Sequence, residues 1–323
     1  MAGVSSASAA PDALVDIVVV NWNAGSLLSE CVTALDRSTI ARALRVVVVD
    51  NASTDHSIQA LATQRLQLDV ILNSENRGFA AACNQGARLG AAPYLLFLNP
   101  DVEVHTDAVE KALAYLSSPA HERTGIVGIQ LLSRDGTVSR CCARTPSLSG
   151  LLLRTMFLDR ICPRLVKPHF LEDWDHTDTR PVDQVMGAFL LIRRGLFEKL
   201  GFFDERFFVY YEDVDLCLSA RQAGWSVVHV ADAKARHAMG GTTRAIRDVR
   251  LSLLLESRVA FAAKRYGRAA ATALTLAILA CELPIRLLHA TLTDREPRWI
   301  VRAMVIYCRS LMRRGGGIVA HDP

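Results

Sequence analysis

The sequence lacks the short motifs that mark several common nucleotide-binding and metal-binding proteins. No G-x-G-x-x-G turn follows the first predicted strand and no G-x-x-x-x-G-K-[ST] occurs in the 323 residues, which disfavours a dinucleotide-dependent dehydrogenase and a P-loop nucleotidase. The eight cysteines include no C-x-x-C pair and fall within apolar segments, a pattern typical of reduced core residues rather than of disulfides or zinc ligands. Nucleotide binding by a different architecture stays open.

Neither a signal peptide nor a membrane span is predicted. The N-terminal segment, MAGVSSASAAPD, has no positive cluster followed by an apolar core, so we expect residues 1–13 to be the disordered leader of a cytoplasmic protein. The apolar run at residues 269–281 has 13 uncharged residues, fewer than the ~20 that cross a bilayer. It fits a core helix and a helix lying in the membrane interface equally well.

The net charge of +4 is unevenly distributed along the chain. Residues 234–323 carry 16 Lys/Arg and 6 Asp/Glu, which leaves 21 basic and 27 acidic residues in 1–233. The basic tail suits docking at the inner face of an anionic cytoplasmic membrane. It has no recognisable nucleic-acid-binding motif and no interleaved aromatic platform, so nucleic acid is not a predicted partner.

Short β-branched runs alternate with helical patterns in the first part of the chain. Strands are predicted at 15–21, 45–50, 68–73, 94–99 and 125–129, and helices at 56–66, 78–89 and from 106 or 107 to about 117. This alternation predicts an α/β fold with a parallel sheet covered on both faces.

The rhythm changes after residue 130. An Asp135-Gly136 turn predicts a hairpin, and residues 141–180 have no clear period, so we interpret them as a flexible loop or lid. Later segments are predicted as an interrupted strand at 181–194, a helix at 212–224, a strand at 225–230 and a long basic helix at 245–268.

Polar side chains gather where the predicted strands end. The ends are Asn21-Trp22-Asn23, Asp50 to Asp55, Asn73 with Asn76-Arg77-Gly78, and Asn99-Pro100-Asp101. Any one of these ends is explained by ordinary turn chemistry. In an open parallel sheet, however, ligands bind beyond the carboxyl ends of the strands, so four polar ends at one edge favour a ligand site.

Six segments in unbroken order carry a family resemblance. They are VVVNWNAGSLLSECVTAL, VVVVDNASTDHS, NRGFAAACNQG, FLNPDV, GAFLLIRRGLFEKLGFFDERFFVYYEDVDLCLSARQAGW and HAMGG. Together, over about residues 14–265, they resemble the inverting nucleotide-sugar transferases of glycosyltransferase family 2, particularly its rhamnosyltransferase-like branch.

The resemblance implies a GT-A fold, a Rossmann-like nucleotide-binding sheet with an acceptor-binding half. The implied domain is 14–242, divided into a nucleotide-sugar-binding half at 14–130 and an acceptor and catalytic half at 131–242. Residues 243–323 would form a basic helical extension, whose charge and apolar run suit association with a membrane.

The resemblance also implies site residues. Those near the nucleotide sugar are Asn21, Asn23, Asp50, Asn51, Asn76, Arg77, Gly78, Asn84, Asn99, Asp101 and Gly187. Asn99-Pro100-Asp101 occupies the position of the family's Asp-x-Asp motif, so Asp101, Asn99 and His237 are the implied ligands of Mg²⁺ or Mn²⁺. Asn99 in place of the first aspartate removes one negative charge near the cation. A hard cation of this kind prefers oxygen ligands and stabilises a departing diphosphate.

The carboxylates of YYEDVDLCL supply candidates for the catalytic base that inversion requires. The match to the family's Glu-Asp motif assigns that role to Asp213, with Glu212 holding the acceptor or orienting the base. For Asp215, capping of the helix N-terminus is the preferred interpretation. Gly187 suits a backbone that approaches a ligand closely and suits a strand bulge equally well.

The function implied is transfer of L-rhamnose from dTDP-L-rhamnose to a polyprenyl-diphosphate-linked or polysaccharide glycan, as in O-antigen or cell-wall assembly. One alternative keeps the fold with a UDP- or GDP-sugar donor. Another, from a different class, is a non-catalytic nucleotide-binding or glycan-binding protein. The joint presence of Asp101, Glu212, Asp213 and His237 disfavours the non-catalytic alternative.

Overall fold

A computed structural model of the chain describes residues 13–63, 65–161, 169–238, 246–293 and 297–314. The chain divides into two compact units. Unit 1 is drawn from Met1–Arg144, Phe170–Glu205 and Glu212–Thr242, and unit 2 from Thr145–His169, Arg206–Tyr211 and Thr243–Pro323. Two segments of the predicted acceptor half therefore group with the C-terminal helices. The first twelve residues of the predicted leader, and the predicted boundary at 242, lie outside the described residues.

Strands and helices largely alternate in the first part of the chain, as the sequence predicts. The strands are β1 (Val15–Asn21), β2 (Leu44–Asp50), β3 (Gln67–Leu72), β4 (Tyr94–Leu98), β5 (Val102–Val104), β6 (Thr124–Leu132), β7 (Val138–Ser139), β8 (Cys142–Ala143), β9 (Arg180–Val182), β10 (Gln184–Val185), β11 (Phe189–Arg193) and β12 (Ser226–His237). The helices are α1 (Ser26–Asp36), α2 (Phe79–Ala87), α3 (Ala108–Ser117), α4 (Leu148–Thr155), α5 (Leu158–Ile161), α6 (Arg194–Lys199), α7 (Glu212–Gln222), α8 (Arg247–Tyr266), α9 (Arg268–Ala277), α10 (Leu283–Thr293) and α11 (Arg298–Arg314).

Ten of the described strands form one mixed sheet in unit 1. Its main path runs β3-β2-β1-β4-β11-β6-β12-β5. The strands β3, β2, β1 and β4 are parallel, whereas β11 is antiparallel to both β4 and β6. Because β1 to β4 run in one direction, their carboxyl ends share an edge, and Asn21 pairs with Asp50 across it. The predicted polar edge is thus confirmed.

The core of unit 1 is built on the central strands. Every residue of β1 and β2 is buried, as expected for parallel strands covered on both faces. Helix α2 packs close to them, since a Cβ added at Gly86 would lie 2.6 Å from Val18 Cγ1. Arg194 and Asp16 form a buried ion pair of 2.6 Å, which ties α6 to β1.

Two local predictions have opposite outcomes. The hairpin is confirmed, because β7 pairs antiparallel with β6 and Gly136 adopts φ +82° in the turn. The helix predicted at 56–66 is wrong, since the helical structure among the described residues of this segment is a short 3₁₀ turn at Ser57–Ala60. The physical reason lies in Asp55, whose carboxylate accepts hydrogen bonds from Gly25 and Ser57 and so holds the chain in a loop.

The helices of unit 2 include a longer apolar helix than the sequence predicts. Residues Arg268–Thr293 form one continuous 26-residue helix in which a π-helical segment at Ile278–Glu282 joins α9 to α10. Pro284 is accommodated at the start of α10, where irregular hydrogen bonding lowers the cost of its missing N–H. Among the described residues this is the one helix long and apolar enough to cross a membrane, and 28% of its most apolar window is buried.

Glu282 anchors this helix inside unit 2. Its carboxylate lies 2.6 Å from Arg258 of α8 and 2.8 Å from Arg286 of α10. The opposite side of the helix exposes large apolar side chains, including Leu276, Leu288 and Leu292. The helix therefore buries one side in unit 2 and exposes most of its remaining surface.

Candidate active site

The polar edge of the sheet begins with a buried hydrogen-bond network at the ends of β1 and β2. The Asn21 amide nitrogen Nδ2 lies 2.6 Å from Asp50 Oδ1, 3.0 Å from Ser53 Oγ and 2.8 Å from Ser57 Oγ. The backbone N–H of Ser53 donates to the other oxygen of Asp50. Sequence reasoning missed the two serines as members of the site, although their spacing from Asp50 within DNASTDHS carries the signal.

The loop after β1 is joined to the loop after β2. Asn23 adopts φ +52°, its backbone N–H donates to Ser53 Oγ at 2.9 Å, and its side-chain oxygen accepts from the N–H of Thr54 at 2.8 Å. Asparagine tolerates this left-handed conformation better than most residues. Asn23 therefore sets the shape of the edge.

The loop after β3 is tethered to the same edge by amide side chains. Asn51 donates to the carbonyl of Gly78 at 3.1 Å and accepts from Asn73 at 2.9 Å. Asn76 accepts from the N–H of Gly78 at 3.0 Å. Arg77 lies between them with its side chain exposed, which leaves a cation free to meet an anionic ligand.

Asn84 serves another part of the chain. Its nitrogen donates to the carbonyl of Phe203 and to Glu205, both at 2.9 Å, and its oxygen accepts from the N–H of Phe203 at 3.0 Å. The amide is buried and its hydrogen bonds hold residues 203–205. The structure therefore places Asn84 beneath the edge as a support for that segment.

The FLNPDV turn brings Asp101 to His237. Asn99 donates its backbone N–H to the carbonyl of Ala188 at 3.0 Å, and β5 then pairs with the end of β12. This pairing sets Asp101 Oδ1 3.2 Å from His237 Nε2, with both side chains less than 8% exposed. The other ring nitrogen of His237 is buried and has no hydrogen-bond partner among the described residues.

The Glu212–Asp213 pair at the start of α7 is linked to the FLNPDV turn through the backbone of residues 187 and 188. Gly187, next to Ala188, donates its N–H to Asp213 Oδ2 at 2.8 Å, and the N–H of Val214 donates to Oδ1 at 2.8 Å. Glu212 is buried, and its Oε2 has no hydrogen-bond partner in the part of the chain that the structure describes. Asp213 is thus stabilised by two N–H groups that Glu212 lacks.

These contacts affect the pKa values of the two carboxyl groups differently. Burial, and then the neighbouring Asp213 charge, hold the pKa of Glu212 well above its ordinary value. Burial also raises the pKa of Asp213, but the N–H groups of Gly187 and Val214 oppose the rise. Because hydrogen bonds to a carboxylate favour its charged form, Asp213 is the member of the pair that ionises first.

The turn that leads into α7 is conformationally unusual. Tyr210 and Tyr211 adopt φ +69° and +70° in succession. Non-glycine residues rarely occupy this region, and strained backbone of this kind concentrates at functional sites. The sequence pattern YYEDVD contains no glycine to signal the turn, so sequence reasoning missed it.

The segment that holds much of this site matches a known protein family. Residues 16–139 match the model of Glycosyl transferase family 2, and they contain both the polar edge and the FLNPDV turn. Over these residues the chain has the sequence of a family 2 glycosyltransferase.

Curated relatives of the chain include two rhamnosyltransferases. It is 29% identical over 233 residues to N-acetylglucosaminyl-diphospho-decaprenol L-rhamnosyltransferase of Mycobacterium tuberculosis, covering 68% of this chain and 75% of the relative. It is 25% identical over 234 residues to the O-antigen chain rhamnosyltransferase RfbN of Salmonella typhimurium, covering 71% and 68% of the two chains.

A solved structure shares its architecture. The mannosyltransferase PcManGT from Pyrobaculum calidifontis, solved with GDP-Man and Mn²⁺, aligns with a TM-score of 0.54 at 19% identity, covering 91% of this chain and 87% of that one. This likeness concerns the fold, which is the GT-A fold predicted from the sequence.

Proposed function

We propose that this glycosyltransferase moves L-rhamnose from dTDP-L-rhamnose, with inversion, onto a polyprenyl-diphosphate-linked glycan during surface polysaccharide assembly. The observation that carries the proposal is the short backbone link Asn99–Ala188–Gly187–Asp213, which joins the Asp101–His237 pair to the carboxylate at the start of α7. The rhamnose donor and lipid-linked acceptor are supported by the activities named for the mycobacterial and Salmonella relatives.

The nucleoside would lie on the polar edge. Asp50, oriented by Asn21 and by the N–H of Ser53, offers a carboxylate acceptor suited to a sugar hydroxyl or a base N–H. Exposed Arg77 offers a guanidinium that suits a diphosphate. These two groups supply opposite charges at loops that follow neighbouring strands, which suits a nucleotide with a polar base and an anionic diphosphate.

The Asp101 and His237 side chains fit a divalent cation. The carboxylate of Asp101 is the hard oxygen ligand that Mg²⁺ and Mn²⁺ prefer, and His237 keeps a buried ring nitrogen without a hydrogen-bond partner in the described chain. When bound there, the cation would neutralise charge on the leaving nucleoside diphosphate. Asn99 is the third candidate, and its neutral amide would lower the charge of the ligand set.

Asp213 would act as the general base. Its ionised carboxylate takes the proton of the acceptor hydroxyl while that oxygen bonds to the anomeric carbon and the bond from this carbon to the phosphate oxygen breaks. The nucleoside diphosphate leaves with the bonding electron pair, so the configuration inverts. Glu212, protonated and buried beside it, can donate a hydrogen bond that orients the acceptor or the base.

Unit 2 would bind the inner face of the cytoplasmic membrane. Leu288 and Leu292, at 60% and 76% exposure, project from the solvent side of the long apolar helix, and α11 exposes Arg302 and Arg309 beside exposed valines. Apolar side chains that insert and arginines that meet anionic headgroups are complementary to such a surface. A peripheral enzyme placed there would meet a polyprenyl-linked acceptor.

The proposal is tested by calorimetry of the full-length protein with dTDP-L-rhamnose, UDP-sugars and GDP-sugars, each with and without Mg²⁺ or Mn²⁺. We expect the tightest binding for dTDP-L-rhamnose with the cation. Preference for a UDP- or GDP-sugar would contradict dTDP-L-rhamnose as the donor but would still agree with a glycosyltransferase activity. Donor binding without turnover on any polyprenyl-diphosphate glycan would favour the non-catalytic alternative.

A further inference from the structure

A second cluster of candidate ligands lies in unit 1 outside the transfer site. Cys141 immediately precedes β8, Cys142 is the first residue of β8, and His229 is the fourth residue of β12. The two sulfur atoms and a ring nitrogen of His229 all lie within 4.8 Å of one another, and all three side chains are buried. Adjacent residues of an extended chain usually point to opposite faces, so convergence of both sulfurs on one histidine is a feature of this fold.

The two histidines of this region have tautomers fixed by backbone carbonyls. His229 Nε2 lies 3.2 Å from the carbonyl oxygen of His176, and His176 Nδ1 lies 3.0 Å from the carbonyl oxygen of Trp174. A carbonyl only accepts, so each of these nitrogens carries a proton. The lone pairs therefore sit on His229 Nδ1 and His176 Nε2.

Those two lone-pair nitrogens are buried without a hydrogen bond of ordinary geometry among the described residues. The group that interacts with the His229 ring is the thiol of Cys141, another member of the cluster. A buried polar atom left unpaired costs roughly 1–3 kcal/mol, and native interiors rarely leave two side by side. Histidines that bind metals typically donate one N–H to a carbonyl and turn the other nitrogen to the ion, and His176 and His229 each make the carbonyl contact of this arrangement.

We propose that Cys141, Cys142, His229 and His176 bind a structural Zn²⁺ ion. Two thiolates and two imidazoles form a soft donor set that suits zinc and differs from the oxygen-rich site at Asp101. The ring centroids of His176 and His229 are 5.7 Å apart, close to the roughly 5 Å of two imidazoles on one tetrahedral zinc. Two thiolates on one tetrahedral zinc lie about 3.8 Å apart, and the two sulfurs already lie within 4.8 Å of each other.

The zinc would join three segments that support the transfer site. Cys142 pairs with Val185 of β10, and the N–H of Met186 donates to the carbonyl of Cys141 at 2.9 Å. Gly187, which holds Asp213, follows directly. His176 is held by stacking on Trp174 at 4.2 Å. A metal at this position would therefore fix the backbone from which Gly187 donates, and it would give these cysteines a role beyond the core packing that the sequence predicts.

The test uses the full-length protein purified without chelators. We expect about one zinc per chain by mass spectrometry of metals, and Co²⁺ replacement should add thiolate-to-cobalt absorption in the near ultraviolet with tetrahedral bands in the visible. Cys142→Ser and His229→Gln should each weaken metal binding roughly tenfold or more. Cys83→Ser, a buried thiol outside the cluster, and Asp101→Asn should leave zinc content unchanged.

Two outcomes would overturn the zinc site. One is wild-type protein that holds no zinc and gives no thiolate absorption with Co²⁺, a measurement that does not depend on whether a variant folds. The other is zinc that stays bound in both Cys142→Ser and His229→Gln proteins whose circular dichroism matches wild type.

Discussion

The backbone N–H of Gly187 donates a 2.8 Å hydrogen bond to Oδ2 of Asp213 across 26 residues of sequence. A Cβ at position 187 would lie 3.4 Å from the same oxygen, an ordinary van der Waals distance, so this contact by itself does not require glycine. The contact favours the ionised form of Asp213 and joins it to the FLNPDV turn through Ala188. We therefore expect Asp213 and Glu212 to have distinct roles.

The Asp213→Asn variant should lose transfer and keep donor binding. An amide cannot take the acceptor proton, and removal of a general base lowers kcat by roughly 10²–10⁴-fold, while the proposed donor contacts at Asp50 and Asp101 are unchanged. Initial rates and donor calorimetry measure the two effects. Asp183→Asn, which alters an exposed ion pair with Arg221, serves as the control. Turnover near wild type in Asp213→Asn would remove Asp213 from the base role.

The Glu212→Gln variant should be more stable than wild type at pH 8 and similar to it at pH 4. The pKa of Glu212 is well above 4.5 in the folded state, so its neutral form stabilises the fold fully below the unfolded pKa, and this stability is lost as the pH rises towards the folded pKa. Each tenfold change in proton affinity corresponds to about 1.4 kcal/mol. Urea unfolding at the two pH values measures the difference.

A matched control for the pH effect is Glu198→Gln, whose carboxylate is half exposed. Its effect on stability should be similar at pH 4 and pH 8. A Glu212→Gln protein whose stability relative to wild type does not rise between those pH values would contradict the raised pKa and the proton assigned to Glu212.

The His237→Ala variant should bind the donor more weakly in Mn²⁺ and unchanged in chelator. Loss of one candidate ligand should raise the dissociation constant roughly tenfold or more, by analogy with the effect of outer-shell mutations on metal sites. Calorimetry with and without Mn²⁺ separates the metal contribution from direct donor contacts. His105→Ala, an exposed histidine beyond β5, is the control. Equal affinities of His237→Ala and wild type in Mn²⁺ would exclude His237 from the metal site.

The Leu288→Ser/Leu292→Ser double variant should bind anionic vesicles more weakly. Each inserted leucine contributes about 1.5–3 kcal/mol, so loss of both should reduce partitioning at least tenfold, and salt should reduce it further by screening the arginines. Co-sedimentation with phosphatidylglycerol vesicles measures this. Leu72→Ser changes an exposed leucine of unit 1 and should have no effect. If the wild-type protein does not bind such vesicles, the proposal that unit 2 binds an anionic membrane is contradicted.

Much of the fold follows from local patterns. The predicted strands β1 to β4 and β6 appear within a few residues of their observed bounds, because β-branched runs between turn residues are local signals. The prediction of a helix at 56–66 is wrong because Asp55 accepts a hydrogen bond from Gly25, a residue 30 positions away. Strand β5 was missed because three residues between Asp101 and His105 carry no periodicity, and only pairing with β12 makes them a strand.

The sequence by itself determined which residue types stand at the polar edge and which family motifs they form, because those depend on order and spacing along the chain. Only the tertiary structure decided which of them meet. In the folded chain His237 contacts Asp101, and Asn84 is hydrogen-bonded to Phe203. Asp213 is hydrogen-bonded to Gly187, and Cys141 and Cys142 lie near His229. These contacts join residues 26 to 136 positions apart, and pairing register and burial select such partners where local propensity cannot.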